Sequence, residues 1–325
     1  MRRWIIIGLA LGCLAVLYAT VMSAVRVFSF DMNQPMPAEA EELGYRLVLI
    51  SQELDTPFWK KVEQGAKEAA RQYGASLELW GTYSTNTDDF LKKIEIAISS
   101  KVDGIIVQGL DSDEFKELTK IKAAGSGIPV ITVANDVPMN ESLRRTYVGS
   151  DHWKAGQLIA RQLVDDMGEA GKVVIMLSDR QEHFQRSRLT GILDMLSAYP
   201  DIRTQIVASG DKREKVAEAT NQVLNKVPDA DAFIAVTANN ADAIIQEIGK
   251  RFRTDNYLFY TFDDSPETQT LMQEGKIKAL LQQSPEMMGE ISVGKMIGWL
   301  RGDILPLDPD GYYTDIRVVR GERGR

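Results

Sequence analysis

Two kinds of hydrophobic pattern divide the chain. Residues Trp4 to Val25 form one unbroken uncharged run, preceded by Arg2 and Arg3. At about 1.5 Å per residue, a helix of this length crosses the roughly 30 Å hydrocarbon layer of a membrane. From Tyr45 onward, short apolar runs alternate with segments that have helical spacing. The pattern predicts one transmembrane helix followed by a water-compatible α/β domain.

A permanent anchor is favoured for residues 1–26 over two alternatives. Cys13 would be the lipidated residue of a lipoprotein signal, but it lies in the middle of the apolar run. A cleaved leader has an apolar core of about 7–15 residues and a small-residue cleavage site, which Met22-Ser23-Ala24 matches poorly. Because the basic residues precede the run, each alternative places residues 26–325 outside the cytoplasm. We therefore expect a single-pass cell-membrane protein with a linker at 27–44.

The remaining pattern predicts strands that alternate with helices. Near-continuous apolar runs are typical of parallel strands covered on both faces. The predicted strands are 46–50, 77–80, 104–107, 130–133, 173–177, 205–208, 233–236 and 258–262. Capping residues predict helix starts at Thr56-Pro57, Asp151 and Ser265-Pro266. In the first of these helices Val62, Ala66, Ala69, Ala70 and Tyr73 are expected on one buried side.

The strand–helix units fall into two groups. About four precede a junction near Tyr147-Val148-Gly149 and about four follow it. Alternation of this kind predicts right-handed crossovers and open parallel sheets. The fold class is therefore α/β, with two doubly wound parallel-sheet lobes. One eight-unit closed barrel is the alternative.

Composition and motifs narrow the function classes. The net charge of −8 and the isoelectric point near 5.1 argue against nucleic acid or anionic lipid as partners. The sequence has neither a phosphate loop with a following Lys-Ser/Thr nor a G-x-S-x-G or H-E-x-x-H motif. Its two histidines, His152 and His183, are expected to be surface or packing residues. Asp136 and Asp263 form only a weak candidate for the carboxylate pair of a hydrolase. We expect a protein that is not an enzyme and has no cofactor or metal.

Polar side chains follow the predicted strands, where ligands of open α/β sheets bind. Amides, carboxylates, arginines and aromatic rings share these positions: Phe58-Trp59, Asn135-Asp136, Phe184 to Arg188, Asn239-Asn240, Asp263-Asp264 and Gln282-Gln283. Such groups pair with vicinal hydroxyls, and aromatic rings cover the C–H faces of a sugar. Structural alternatives are a core position for one of Phe58 and Trp59, an Asx turn at Asn135 and Asp136, a helix cap at Asp263 or Asp264, and surface charges at Arg186 and Arg188.

The same segments carry a family resemblance. They read Thr56-Pro57-Phe58-Trp59, Val102-Asp103-Gly104-Ile105-Ile106-Val107, Gly127-Ile128-Pro129-Val130-Ile131-Thr132, Val148-Gly149-Ser150-Asp151, Arg188-Leu189-Thr190-Gly191, Phe262-Asp263 and Gln283-Ser284-Pro285. In this order and spacing, residues 45–320 resemble the ribose/galactose-type periplasmic sugar-binding proteins, which have the type I periplasmic-binding-protein fold.

The resemblance implies lobe limits and residue roles. Three crossovers would form a hinge between an N-terminal lobe, 45–149 plus about 284–310, and a C-terminal lobe, 150–283 plus about 311–325. Phe58 and Trp59 resemble the stacking aromatics, and Asn135 and Asp136 resemble the polar group after the fourth strand. Further matches are Arg186, as the second-lobe arginine, and Asn239, Asp263 and Gln283, as the other hydroxyl-binding groups.

Two functions remain open. The first is extracytoplasmic binding of a small carbohydrate as the substrate-binding component of an ABC-type importer, with a membrane permease as partner. The alternative is a membrane-tethered sugar receptor that signals to a partner sensor histidine kinase. In both, the lobes close over a ligand that touches each of them.

Overall fold

The computed structural model describes residues 14–22, 44–82, 86–179, 182–210, 212–237, 240–251 and 257–321. Residues 14–22 are helical (α1). Among the described residues no helix is both long and apolar enough to cross a membrane. The predicted anchor at 1–26 lies mostly outside the described residues. Residues 44–325 form a compact unit of their own.

Twelve described strands form two six-stranded sheets. The strands are β1 Arg46–Ser51, β2 Ser76–Gly81, β3 Gly104–Gln108, β4 Val130–Val133, β5 Thr146–Gly149, β6 Gly171–Ser178, β7 Ile202–Ser209, β8 Ala232–Ala235, β9 Leu258–Phe262, β10 Ala279–Gln282, β11 Tyr312–Tyr313 and β12 Arg317–Arg320. The first sheet has the order β11-β5-β4-β3-β1-β2, and the second has the order β12-β10-β9-β8-β6-β7. Two open sheets confirm the two-lobe prediction and make the closed-barrel alternative wrong.

The two sheets share one topology. Every pairing in the first sheet is parallel, and in the second only β12 runs antiparallel to its neighbour. Read from its last-named edge, each sheet begins with the second strand of its lobe in chain order, followed by the first strand and then the third. The strand order therefore reverses between β1 and β3 in one lobe and between β6 and β8 in the other. Ligand sites of doubly wound sheets lie at such reversal points.

Helices cover both faces of the sheets. They are α2 Pro57–Tyr73, α3 Thr87–Ser99, α4 Asp113–Glu117, a π-helix Leu118–Ala123, α5 Met139–Ser142, α6 His152–Met167, α7 His183–Leu196, α8 Arg213–Lys226, α9 Ala241–Arg251, α10 Pro266–Gln273 and α11 Pro285–Arg301. The three predicted starts are confirmed. Thr56 accepts a hydrogen bond from the Trp59 N–H, Asp151 caps α6, and Ser265 forms a capping box with Thr268.

Each sheet separates two hydrophobic cores. On β1, Leu47 and Leu49 pack into one core while Val48 and Ile50 pack into the other. Alternation of this kind explains the continuous apolar runs, because side chains of a strand point to opposite faces in turn. The predicted buried side of α2 is confirmed except at Tyr73, which is 42% exposed and lies under the Arg301 guanidinium.

The chain passes between the sheets three times. The crossings lie between β5 and α6, between β10 and α11, and between β11 and β12, since α11 packs against α2 and the first sheet. The sequence placed the third crossing at about residue 310, but β11 at Tyr312–Tyr313 still pairs with β5.

Candidate functional site

A cleft of about 380 Å³ lies where the carboxyl ends of the two sheets face each other. This volume is in the range of small-molecule sites. Both strand-order reversals open into it, because its lining includes Gln52 after β1, Gln108 at the end of β3, Ser178 at the end of β6 and Thr237 after β8. The topology and the cavity therefore locate the same site.

Aromatic rings line the cleft from both lobes. Phe58 and Trp59 open α2 and meet edge to face, with their ring centroids 5.6 Å apart. Trp59 is 5% exposed because it also packs in the first lobe's core. From the second lobe, Phe184 of α7 lines the same cavity. Such rings provide flat apolar surfaces inside a polar site.

Arg188 is a buried cation of the cleft wall. Its Nη1 donates a hydrogen bond to the Val236 carbonyl at 2.8 Å and lies 4.0 Å from Asp263 Oδ2. The guanidinium is 4.2 Å from the ring centroid of Phe262. Burial lowers the pKa of Arg188, and the negative charge of Asp263 opposes that shift. The Nε atom has no hydrogen-bond partner among the described residues.

Close helix packing holds Arg188 in place. A Cβ on Gly156 of α6 would lie 2.1 Å from the Arg188 carbonyl oxygen, and one on Gly191 of α7 would lie 1.9 Å from the Trp153 carbonyl oxygen. Only glycine at both positions lets the two helices approach so closely. The small residues of α6 and α7 therefore set the depth of the arginine in the cleft.

A hydrogen-bonded chain connects Asp263 to two of the crossings. Gln283, which precedes α11, donates from Nε2 to Asp263 Oδ1. Its Oε1 accepts from Ser150 Oγ at 2.6 Å, and Ser150 precedes α6. Asp263 itself has a φ of +66°, which few residues other than glycine adopt. Ser265 caps α10, so Asp263 lies in the cavity without serving as the helix cap.

The turn after β4 separates two neighbouring polar residues. Ala134 has a φ of +64°. Asn135 beyond it lines the cleft, and its Nδ2 donates to Glu182 of the other lobe at 3.3 Å. Asp136 turns away from the cavity and pairs with Arg144, whose Nε and Nη2 lie 2.6 and 2.7 Å from its two oxygens.

Comparison with known proteins places the chain in a family. The model of the periplasmic binding protein domain matches residues 47–303. The chain belongs to the periplasmic binding protein family. GanP, a glucose-galactose binding protein from Geobacillus stearothermophilus, superposes on this binding protein with a TM-score of 0.80 and 33% identity, covering 86% of this chain and 98% of GanP.

Two further relatives extend the comparison. The ribose import binding protein RbsB of Bacillus subtilis is 23% identical over 243 residues, which are 74% of this chain and 76% of RbsB. A structure of the XylFII–LytSN complex matches with a TM-score of 0.75 and 25% identity, covering 86% of this chain and 98% of the matched one. The periplasmic binding domain implies an extracytoplasmic location for the folded part.

The structure brings five of the eight predicted site residues together. Phe58, Trp59, Asn135, Asp263 and Gln283 all line the cleft of this binding protein. Asn239 lies outside the described residues. Asp136 does not line the cavity, and its carboxylate instead accepts hydrogen bonds from Arg144 and from Thr132 Oγ1 at 2.6 Å.

The structure also places Arg186 outside the cleft lining. Its Nη2 donates to Asp111 Oδ2 at 2.7 Å, and its side chain is 47% exposed. It does not line the cavity, whereas Arg188, two positions along α7, does. Residues two apart on a helix lie on different sides of it. The choice between the two arginines therefore depended on the rotation of α7 about its axis.

Three glutamines to which the family resemblance gave no role also line the cleft. Gln52 and Gln108 flank the reversal point of the first sheet, and Gln52 N–H donates to Gln108 Oε1 at 2.9 Å. Gln185 accepts from the Ser178 N–H at 2.8 Å and so fixes the end of β6. These glutamines follow or face the ends of central strands. They can be recognised as lining residues only when the order of the strands in the sheet is known.

Proposed function

We propose that this periplasmic binding protein holds a small neutral carbohydrate between its lobes and serves as the substrate-binding component of an ABC-type importer. The protein binds the sugar without changing it chemically. The observation that carries the proposal is a cleft whose unsatisfied polar atoms come from both lobes. Gln52 Nε2, Arg188 Nε and His152 Nδ1 are buried and have no hydrogen-bond partner among the described residues, although all three residues line the cavity.

Hydroxyl groups suit this set of atoms. A hydroxyl donates one hydrogen bond and accepts two, so a polyol serves buried donors such as Gln52 Nε2 and Arg188 Nε as well as carboxylate acceptors such as Asp263. Leaving a buried donor or acceptor unpaired costs about 1–3 kcal/mol. A ligand that pairs these atoms removes that cost, while Phe58 and Trp59 cover its C–H faces.

Four carboxylates and three cationic side chains of the described residues line the cleft, so its net charge is close to zero and suits an uncharged ligand. Asp263 is balanced by the nearby Arg188, and Asp264 pairs with Lys61 at 3.3 Å. A strongly charged ligand would have to displace one member of such a pair. An uncharged polyol uses the remaining donors and acceptors of the same groups.

Closure is the proposed mechanism. A ligand that touches Trp59 in one lobe and Arg188 in the other binds the closed form more tightly, and it shifts the population toward that form by this differential affinity. The crossings beside Ser150 and Gln283 are the proposed hinge. The closed form then presents a composite surface of both lobes to a membrane permease.

The relatives support a sugar as the ligand. GanP is described as a glucose-galactose binding protein, and RbsB of Bacillus subtilis as a ribose import binding protein. We further propose that the run Trp4–Val25 tethers the domain to the outer face of the cell membrane. Because the tail Met1–Arg3 is basic, it stays in the cytoplasm.

A sensor role is the second candidate. It is favoured by the match to the XylFII–LytSN complex, in which a similar protein is bound to another protein. In that case closure would be reported to a sensor histidine kinase. Neighbouring genes for a permease and an ATPase favour import, whereas a neighbouring kinase and response regulator favour sensing.

A thermal-shift screen of residues 44–325 against monosaccharides tests the sugar. A ligand that binds the folded state raises the melting temperature by mass action. At a ligand concentration one hundred times Kd, the free energy of unfolding increases by about 2.7 kcal/mol. We expect one or a few monosaccharides to raise it, and amino acids and carboxylates to leave it unchanged. A screen in which only charged solutes stabilise the protein would contradict the proposal.

A further inference from the structure

His152 lines the cleft and contacts both lobes. It is the first residue of α6 in the second lobe, and its side chain is 7% exposed. Its Nε2 lies 3.0 Å from the Ala134 carbonyl oxygen and 3.2 Å from the Tyr147 hydroxyl, both in the first lobe. The ring also packs against Phe184, with the centroids 5.7 Å apart.

These contacts determine which nitrogen of His152 carries the proton. A carbonyl oxygen can only accept, so Nε2 at 3.0 Å from the Ala134 oxygen must be the protonated nitrogen. The Tyr147 hydroxyl has its own carbonyl acceptors, Ala134 at 3.0 Å and Ser150 at 3.1 Å, and does not require the ring as an acceptor. In the neutral imidazole, Nδ1 then keeps a lone pair and is an acceptor.

That acceptor has no donor within the described part of the chain. His152 Nδ1 is buried and unpaired, and His152 lines the cleft beside Asn135 and Arg188. Burial first, and the positive charge of Arg188 second, lower the pKa of His152 to about 3. The ring therefore stays neutral at physiological pH, so Nδ1 remains an acceptor when the protein meets its ligand.

The same ring supports a strained turn. Ala134 has a φ of +64°, a left-handed conformation that is unfavourable for a residue with a Cβ. Its carbonyl accepts from both His152 Nε2 and the Tyr147 hydroxyl, and these bonds hold the conformation. Asn135, the next residue, lines the cleft. His152 thus fixes the turn that presents Asn135.

We propose that His152 is a specificity-determining residue of the ligand site. Its Nε2–H anchors the Ala134 turn, and its Nδ1 accepts a hydrogen bond from one ligand hydroxyl. The proposal rests on carbohydrate binding as the function. The site then requires a donor at one ring position and rejects a sugar that lacks a hydroxyl there, because a buried acceptor would be left unpaired.

Nuclear magnetic resonance tests the tautomer without any ligand. With two histidines in the sequence, a ¹⁵N-histidine-labelled sample gives two imidazole spin systems, and His152→Gln assigns them. We expect His152 of the free protein to be protonated at Nε2 and not at Nδ1. A proton on Nδ1 would overturn the proposal whatever the protein binds.

Ligand titration tests the hydroxyl contact. The probe is the monosaccharide that gives the largest thermal shift, together with its monodeoxy analogues. Saturation should move the Nδ1 resonance toward the hydrogen-bonded value and leave the tautomer unchanged. An unmoved Nδ1 resonance at saturation overturns the proposal while leaving sugar binding intact. If no monosaccharide shifts the melting temperature, both carbohydrate binding and the hydroxyl contact of His152 are contradicted. The tautomer of His152 is still measured independently.

Two variants separate the two roles of the ring. His152→Gln can place a donor near the Nε2 position without an acceptor at Nδ1, whereas His152→Asn can place an acceptor near Nδ1 without the anchor to Ala134. One deoxy analogue should bind the natural protein about tenfold more weakly than the parent sugar. His152→Gln should abolish this difference, and His152→Asn should retain part of it. Equal discrimination by His152→Gln and the natural protein would overturn the proposal. The melting temperature of each free variant confirms that it is folded.

Discussion

Arg186 and Asp111 form an ion pair between the two lobes, with Nη2 and Oδ2 2.7 Å apart. Asp111 follows β3 of the first lobe, and Arg186 belongs to α7 of the second. The first lobe holds its side of the contact in place, because Lys116 bridges Asp111 at 2.8 Å and Glu141 at 2.6 Å. Lys116 and Arg186 together lower the pKa of Asp111. Neither Arg186 nor Asp111 lines the cleft, so the pair can favour the proposed closed form without contacting a ligand.

The first prediction is that Arg186→Ala weakens ligand binding without removing a ligand contact. An exposed ion pair contributes about 0.2–1 kcal/mol, which corresponds to at most about a fivefold rise in Kd. Asp111→Asn should have the same effect, and the double variant should be no weaker than either single one. Calorimetric titration with the stabilising monosaccharide measures all four.

The control for this set of Arg186 and Asp111 variants is Arg213→Ala. Arg213 also forms a 2.7 Å ion pair with an aspartate, Asp242, but both residues lie in the second lobe. It should leave Kd unchanged. Additive effects of Arg186→Ala and Asp111→Asn on Kd would contradict the pairing. A ligand affinity that depends on salt in Arg186→Ala but not in the natural protein would also contradict it.

The second prediction concerns Asp263. We expect Asp263→Ala to raise Kd at least about tenfold, since the carboxylate is a charged hydrogen-bond acceptor in the cleft. It should also lower the melting temperature of the free protein, because the buried Arg188 loses a carboxylate 4.0 Å away. Calorimetry and thermal unfolding measure the two effects. Undiminished affinity would remove Asp263 from the site.

The third prediction tests how Arg188 is held. Gly156→Ala should lower both stability and affinity, because its Cβ would lie 2.1 Å from the Arg188 carbonyl oxygen and push α7 away. Gly125→Ala is the matched control, since a Cβ there meets nothing within 4 Å. We expect that control to be neutral or slightly stabilising. Equal behaviour of the two variants would contradict the role of the small residue in helix packing.

Much of the fold was predictable from local pattern, for reasons visible in β1 and α2. Runs such as 46–50 are apolar because both faces of the sheet are covered, and Thr56-Pro57 marks a helix start through its capping chemistry. Strands β11 and β12 gave no such signal, since they are short edge strands with exposed or half-buried residues.

The candidate site was less predictable because it depends on orientation. Asn135 and Asp136 are adjacent in sequence, yet the left-handed turn at Ala134 sends one into the cleft and the other to Arg144. Arg186 and Arg188 are distinguished by the rotation of α7, which is set by the contact at Gly156. Neither turn handedness nor helix rotation can be read from residue types alone.

The fourth prediction is a pH dependence of stability from His152. Its folded pKa of about 3 lies below the usual value of 6.5, so the unfolded chain binds the proton more readily. Stability from this residue is complete above pH 6.5 and is lost as the pH falls toward 3. At pH 5 the loss is about 2 kcal/mol. Arg188 and His183 are the charged or titratable groups that add to the shift.

Comparing the melting temperatures of the natural protein and His152→Gln between pH 5 and pH 7.5 measures this effect. We expect the natural protein to lose more stability than the variant on acidification over this range. Parallel pH profiles would mean that His152 titrates normally, and the assignment of a neutral, buried ring would be wrong.

Closure over a sugar is tested most directly by the distance between the lobes. Residues 44–325 contain no cysteine, so spin labels can be placed at Lys92→Cys on α3 and Lys226→Cys on α8, one on each lobe. Pulsed electron paramagnetic resonance measures the distance between the labels as the monosaccharide identified by thermal shift is added. We expect a saturable change to a single shorter distance at one sugar per protein. A bound sugar that leaves the distance distribution unchanged would contradict closure of the lobes.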